Sequence, residues 1–247
     1  MDIGALSVVE RGLFNHGILS LAAENNHKDY VLARFTSGLI YRICIDCVFP
    51  RRNIQLDTMP SPMLLLETAF RHMSPGQLGI KMPWNLRGPS EHVFQIELYS
   101  IFRDLLPRNW RCASEVHEVE SMGKAGSNRW RLDLMLLADN TPGPNAVGFE
   151  LKVDKMSENE IDEAIDQAFK YAKTFKIDVY LVNFFSRLAK PSKPRIICRS
   201  GLRVFLINVT YNDSLNEFQA TYFEETEGKT VEKGFIVCPA GDMALGP

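Results

Sequence analysis

Three ionisable residues in the middle of the chain are spaced so that they can work together. In AVGFELKVD, Ala146 to Asp154, the apolar Phe149, Leu151 and Val153 alternate with Glu150 and Lys152, the period of a β-strand with its charged members on one face. In WRLDLML, Trp130 to Leu136, Trp130, Leu132, Leu134 and Leu136 share a face and leave Arg131 and Asp133 opposite. The turn-rich DNTPGPN, Asp139 to Asn145, lies between the two runs, so they read as neighbouring antiparallel strands. Asp133, Glu150 and Lys152 then converge on one sheet surface. Two carboxylates without Cys or His suit a hard divalent cation such as Mg²⁺, and an ammonium two residues from one of them can hold a water beside it. Metal, water and ammonium together serve the hydrolysis of a phosphodiester.

The pattern Asp133, then Glu150-Leu151-Lys152, resembles the motif of the PD-(D/E)XK, or restriction endonuclease-like, nucleases. That family also places an acidic residue on a helix before the strands and a Gln or Tyr on the helix after them. Here EHVFQIELYSIFRDLLP, Glu91 to Pro107, carries Phe94, Leu98, Ile101, Phe102 and Leu105 at helical spacing with Glu97 inside the apolar stripe. SENEIDEAIDQAFKYAKTF, Ser157 to Phe175, opens with a capping box, Ser157 and Glu160, and ends among Lys170, Lys173 and Lys176, as the helix dipole favours. Gln167 and Tyr171 are four apart, hence on one face. The order of these elements, followed by a strand and a basic Pro-containing loop, is similar to the nuclease-like C-terminal domains of Crinkler-type proteins of fungi and oomycetes.

The resemblance implies that Asp133, Glu150 and the Leu151 carbonyl hold Mg²⁺, with Mn²⁺ able to substitute. It further implies that Glu97 helps with a second ion, that Lys152 positions the attacking water, and that Gln167 belongs to the catalytic set. Such enzymes leave a 5′-phosphate and a 3′-hydroxyl. On their own chemistry, Glu97 reads equally as a structural partner of Arg131 or Lys152, Gln167 as a residue holding a strand edge, and Tyr171 as packing. The expected function is a Mg²⁺-dependent DNA endonuclease, nuclear if it resembles Crinkler-type effectors. The alternative is an inactive nuclease-fold module that binds DNA or chromatin. DNA is preferred over RNA as the partner, and a homodimer is left open.

The chain of 247 residues allows one large domain or a medium domain with a small neighbour. Residues 1–88 read as a small helical, winged-helix-like region with a linker, and 89–247 as the nuclease-like domain. In the first, Ile3 to Ala23 is expected as helix, a short helix leads from Tyr30 toward Ser37-Gly38 and a β-rich stretch follows. MLLLETAFRHM makes a further helix before the Gly/Pro-rich SPGQLGIKMPWNLRGPS. In the second, Asn109–Glu120 is expected as a strand, KIDVYLVNFF as a buried central strand, and LRVFLINVT and FQATYFEET as two more. Helices before and after the strands give an α/β/α sandwich around a mixed sheet.

Charge points the same way locally. The net charge is −2, yet Ser186–Arg203 holds six basic residues and no acid, while acids concentrate in Glu217–Glu232. Lys190, Lys193 and Arg195 of this basic stretch, with Lys124, Arg129, Arg131 and Tyr171, are the expected nucleic-acid contacts. No apolar run approaches the ~20 residues of a membrane span, and MDIGALSVVERGLF lacks the cationic start of a secretory signal, so an intracellular protein is expected. Five cysteines, an odd number, indicate free thiols. Cys44 and Cys47 form a CxxC with no second pair or paired His, which reads as strand rather than zinc site.

Overall fold

The computed structural model describes residues 19–21, 33–35, 52–79, 88–117, 131–138, 146–187, 192–226 and 229–239. The chain falls into two compact units, Met1–Arg51 and Arg52–Pro247. In the first, β1 (Leu19–Leu21) and β2 (Ala33–Phe35) pair antiparallel, with Leu19 opposite Phe35 and Leu21 opposite Ala33. This corrects the helices expected there. The rest of residues 1–51, Cys44 and Cys47 included, lies outside the described residues.

The second unit begins well before residue 88, because the helix expected in the N-terminal region packs on the sheet of the C-terminal one. This is α1 (Pro62–Arg71), capped by Ser61 with Pro62 in its first turn, where a missing N–H costs nothing. Its Phe70 lies against Phe184 and Phe218. A single turn, α2 (Pro75–Leu78), leads toward α3 (Glu91–Leu105). Then come β3 (Trp110–His117), β4 (Arg131–Ala138), β5 (Val147–Val153), α4 (Glu158–Phe175) and β6 (Asp178–Ser186). The expected Ser157–Glu160 capping box opens α4.

Four strands complete the chain: β7 (Arg195–Arg199), β8 (Leu202–Tyr211), β9 (Phe218–Thr226) and β10 (Lys229–Val237). The sheet has eight strands in the order β10-β9-β8-β6-β5-β4-β3, with β7 also on β8. Only β5–β6 and β6–β8 are parallel, so the sheet is mixed and mostly antiparallel. Two residues of the basic stretch, Ile196 and Ile197, carry β7 into the sheet. Ser200 and Gly201, both at positive φ, then turn it back on β8 as a two-residue hairpin. The acidic stretch is likewise a hairpin, β9 with β10.

Alternation along β5 and β6 separates two apolar layers. Phe149 and Phe184 face α3, where Phe102 lies 5.3 Å from the first ring and Phe94 stacks 4.0 Å from the second. Val179, Leu181, Val204 and Leu206 face the other way, into a core with Ile161, Ile165 and Ala168 of α4. Helices therefore cover both faces, and the α/β/α sandwich read from the sequence is the fold.

Candidate active site

Regular pairing of β4 with β5 stops at Leu134 and Phe149, one step before Asp133 and Glu150 would meet. The Asp133 side chain fills that gap. Its Oδ2 accepts the Leu151 N–H at 2.8 Å, so the carboxylate takes the place of a ladder carbonyl. A strand residue sends its N–H and C=O to the same side, so the Leu151 carbonyl faces this opening as well. The simple alternation expected for β4 breaks here: Leu132 and Met135 both enter the core under α4, and Glu115, on the neighbouring strand, has a φ of 54°. That kink admits Asp133 to the opening.

Glu150 and Lys152 project together from β5 on the face that α4 covers. Lys152 Nζ stands 2.7 Å from Glu150 Oε1 and 3.6 Å from Glu91 Oε2. Asp133 is 3% exposed and Glu150 1%, so both negative charges have lost most of their water. Burial raises the Asp133 pKa to about 6, against the pull of the Leu151 N–H. Burial, then the neighbouring Asp133 charge, raises Glu150 to about 8 despite Lys152. Burial draws the Lys152 ammonium down, but Glu150, Glu91 and Asp133 outweigh it, and its pKa ends above the ordinary value. A single ammonium thus faces three carboxylates.

Glu150 Oε2 is buried and has no hydrogen-bond partner among the described residues. An acceptor left so normally has an ion or water as its missing neighbour. Among the described residues no three His, Cys, Asp or Glu side chains stand close enough to share an ion. The donor set is therefore two carboxylates with main-chain and solvent oxygens, a set that fits Mg²⁺, which keeps several waters and takes one or two carboxylates.

The other expected residues divide. Glu97 does not join Asp133 and Glu150: its Oε1 accepts from Arg52 at 3.1 Å and from the Ser74 N–H at 2.9 Å. Tyr171 is buried on α4, where its hydroxyl accepts from Gln167 Nε2 at 2.7 Å and from the Arg131 N–H at 3.3 Å. Burial and then the Glu150 charge raise its pKa, so this pair faces the site. The Arg131 guanidinium pairs with Glu115 at 2.9 Å. Arg195 is held by Glu158 and Asp162 of α4 at 3.1 and 2.9 Å, and Lys193 is exposed. Lys124, Arg129 and Lys190 lie outside the described residues.

Two residues of α3 escaped the sequence reading. Glu91 reaches Lys152, and Gln95, buried, donates through Nε2 to the Asp133 carbonyl at 3.1 Å. They are four apart, one face of a helix, whereas Glu97 is six beyond Glu91, about 240° around the axis. The i, i+4 spacing of Glu91 and Gln95 was the available signal. The apolar stripe drew attention to Glu97 instead.

No protein-family model matches the chain, and no curated protein matches it. Among solved structures, the chain is similar over 52% of its length to an assembly of Thermococcus gammatolerans McrB AAA+ hexamers with bound McrC, refined as a half-complex from a tetradecameric assembly. The identity is 13%, the TM-score 0.38, and the match spans 30% of that chain. Among the described residues no helix is long and apolar enough to cross a membrane.

Proposed function

We propose that the chain is a metal-dependent phosphodiesterase of the PD-(D/E)XK kind, an endonuclease acting on DNA. The observation that carries this reading is the buried Glu150 oxygen without a donor, beside a second buried carboxylate on Asp133 and under the Lys152 ammonium. Asp133, Glu150 and the Leu151 carbonyl would hold Mg²⁺ or Mn²⁺. When bound, the ion lowers the pKa of a coordinated water and offsets charge on the phosphoryl oxygens.

The chain's own residues do the remaining work. Lys152 keeps its proton under three carboxylates, so it acts as a cationic donor, orienting the water and the phosphate oxygen rather than accepting a proton. Asp133 is immobilised by the Leu151 N–H and supplies a fixed oxygen. Tyr171, tied to Gln167 and to the main chain of Arg131, walls the opening from the α4 side. Water oxygen bonds to phosphorus as the bond to the 3′ oxygen breaks, giving a 5′-phosphate and a 3′-hydroxyl. The likeness to Crinkler-type domains adds a nuclear site of action to the proposal.

The test is plasmid cleavage with Mg²⁺ by the wild type and by Asp133→Ala, Glu150→Ala and Lys152→Ala. Loss in all three is expected, and undiminished cleavage in all three discards the assignment. A second reading is an inactive nuclease-fold module that binds DNA or chromatin. The observation in its favour is the direct Lys152–Glu150 ion pair, which occupies one oxygen that an ion would use. Mn²⁺ that leaves the melting temperature unmoved would support it, since a bound ion must stabilise the folded state.

A further inference from the structure

Resting on the metal-hydrolase reading, we propose that Glu91 holds Lys152 rather than a second cation, so that the site takes one divalent ion and α3 is its positioning element. The orphaned Glu150 oxygen marks a place for one ion. A second ion would need a further set of oxygens, and the acids of α3 are committed elsewhere. Glu97 is 1% exposed and receives Arg52 and the Ser74 N–H on Oε1. Its Oε2, like that of Glu150, is buried and accepts no hydrogen bond among the described residues, but Glu97 sits about 240° around the helix axis from Glu91. Glu91 is at Lys152, 3.6 Å away, and leaves that ammonium between two carboxylates.

Charge points the same way. Three carboxylates, one ammonium and one divalent ion cancel, whereas a second ion would place two uncompensated positive charges beside Lys152. Like charges in a desolvated site are far costlier than in water. Lys152 would have to leave, whereas Glu150 at 2.7 Å and Glu91 at 3.6 Å hold its ammonium in place.

One face of α3 therefore grips both strands. Glu91 takes the lysine of β5, and Gln95, one turn on, takes the main chain of Asp133 in β4 at 3.1 Å. Glu91 acts through Lys152, as a positioning residue. Without it, the ammonium is left to Glu150 and competes more strongly with an ion for that carboxylate. Metal affinity and turnover should then fall together, although Glu91 itself touches no ion.

The experiment counts Mn²⁺ on the full chain by calorimetry and by the paramagnetic signal of free Mn²⁺. The proteins compared are the wild type, Glu91→Gln and Asp133→Asn, each melted in EDTA as a check on folding. One ion per chain is expected in the wild type and in Glu91→Gln. The latter should bind it roughly 10- to 100-fold more weakly, the range for residues that orient a metal's ligands, with the melting point in EDTA preserved. Two ions on the wild type and one on Glu91→Gln would overturn the inference while leaving the hydrolase reading intact. So would Glu91→Gln binding as tightly as the wild type. Asp133→Asn binding Mn²⁺ like the wild type would overturn both.

Discussion

Asp133 and Leu151 are joined across the seam between β4 and β5, carboxylate Oδ2 to backbone N–H at 2.8 Å, just past the last regular strand pair. The bond makes Asp133 structural and, in the proposed reading, functional at once, and substitution can separate the two. Asp133→Asn keeps an oxygen for the Leu151 N–H and removes a charge that Glu150 resists. It should melt higher than the wild type in EDTA and lose the stabilisation by Mn²⁺. Asp133→Leu leaves a buried N–H unmet, which costs about 1–3 kcal/mol. Melting curves of both variants with and without Mn²⁺ check this, and equal midpoints for the two in EDTA would mean that the bond contributes nothing.

The raised carboxylates set a pH dependence. Asp133 and Glu150 titrate in the folded protein at about 6 and about 8, above their ordinary values of 3.8 and 4.5. The folded state therefore binds more protons than the unfolded chain, and stability falls as pH rises between those limits. The contribution is whole below about pH 4 and is lost as the pH passes 6 and then 8. His72 works oppositely: burial and then Arg52 lower its pKa, so its contribution grows as pH rises through 6.5. Melting temperature in EDTA should decline from pH 5 to about pH 9, and the decline should vanish in an Asp133→Asn, Glu150→Gln double variant. Mn²⁺ should also flatten it in the wild type, because the ion replaces the proton.

Both halves of that result were partly legible in the sequence. Period-two alternation fixed β5 and put Glu150 and Lys152 on one face, and the Ser157–Glu160 box placed the start of α4. What could not be read was the break at Asp133, because it depends on the kink at Glu115 of β3 and on how three strands share hydrogen bonds rather than on any residue of β4. The place of Glu97 was hidden for a similar reason. Its partners, Arg52 and Ser74, are 45 and 23 residues away in sequence, and no local pattern announces them. β7 was obscured by its charges: flanked by Arg195 and Arg199, its apolar pair looked like part of a solvated loop, yet α4 supplies the acids that neutralise those arginines.

That neutralisation bears on nucleic-acid contact. Glu158, Asp162 and Asp166 form a stripe at four-residue spacing on α4, and they hold Arg195 and Arg199 in exposed pairs, each contributing about 0–1 kcal/mol. Such pairs yield readily to a phosphate, but the acids stay beside it and repel it. Neutralising the stripe, with Asp133→Ala present to prevent cleavage, should tighten duplex DNA binding and steepen its salt dependence by about one counterion per freed arginine. Adding Arg195→Gln and Arg199→Gln should cancel the gain. Affinity measured across a salt series decides it, and a triple variant that binds no better than its parent would move the footprint off this face.

Glu97 gives a last contrast, between a buried ion pair and a metal ligand on the same helix. Its carboxylate is 1% exposed, and Arg52, which it binds, also reaches Ser100 and, through its own N–H, Asp104. These acids and the serine lie on one side of α3 and fasten residues 52–56 along it, with Leu56 N–H bonded to the Leu105 carbonyl. Glu97→Ala strips a partner from the Arg52 guanidinium and from the Ser74 N–H, which should cost roughly 3–5 kcal/mol, the loss expected when one member of a buried pair is removed. Glu97→Gln keeps an oxygen for both donors and should cost less. Neither change should alter the number of Mn²⁺ ions bound by the folded fraction. Urea unfolding of the two variants, followed by Mn²⁺ titration of Glu97→Gln, measures both quantities. A mild loss of stability together with a lost ion would return Glu97 to the metal and take away the clamp assigned to it.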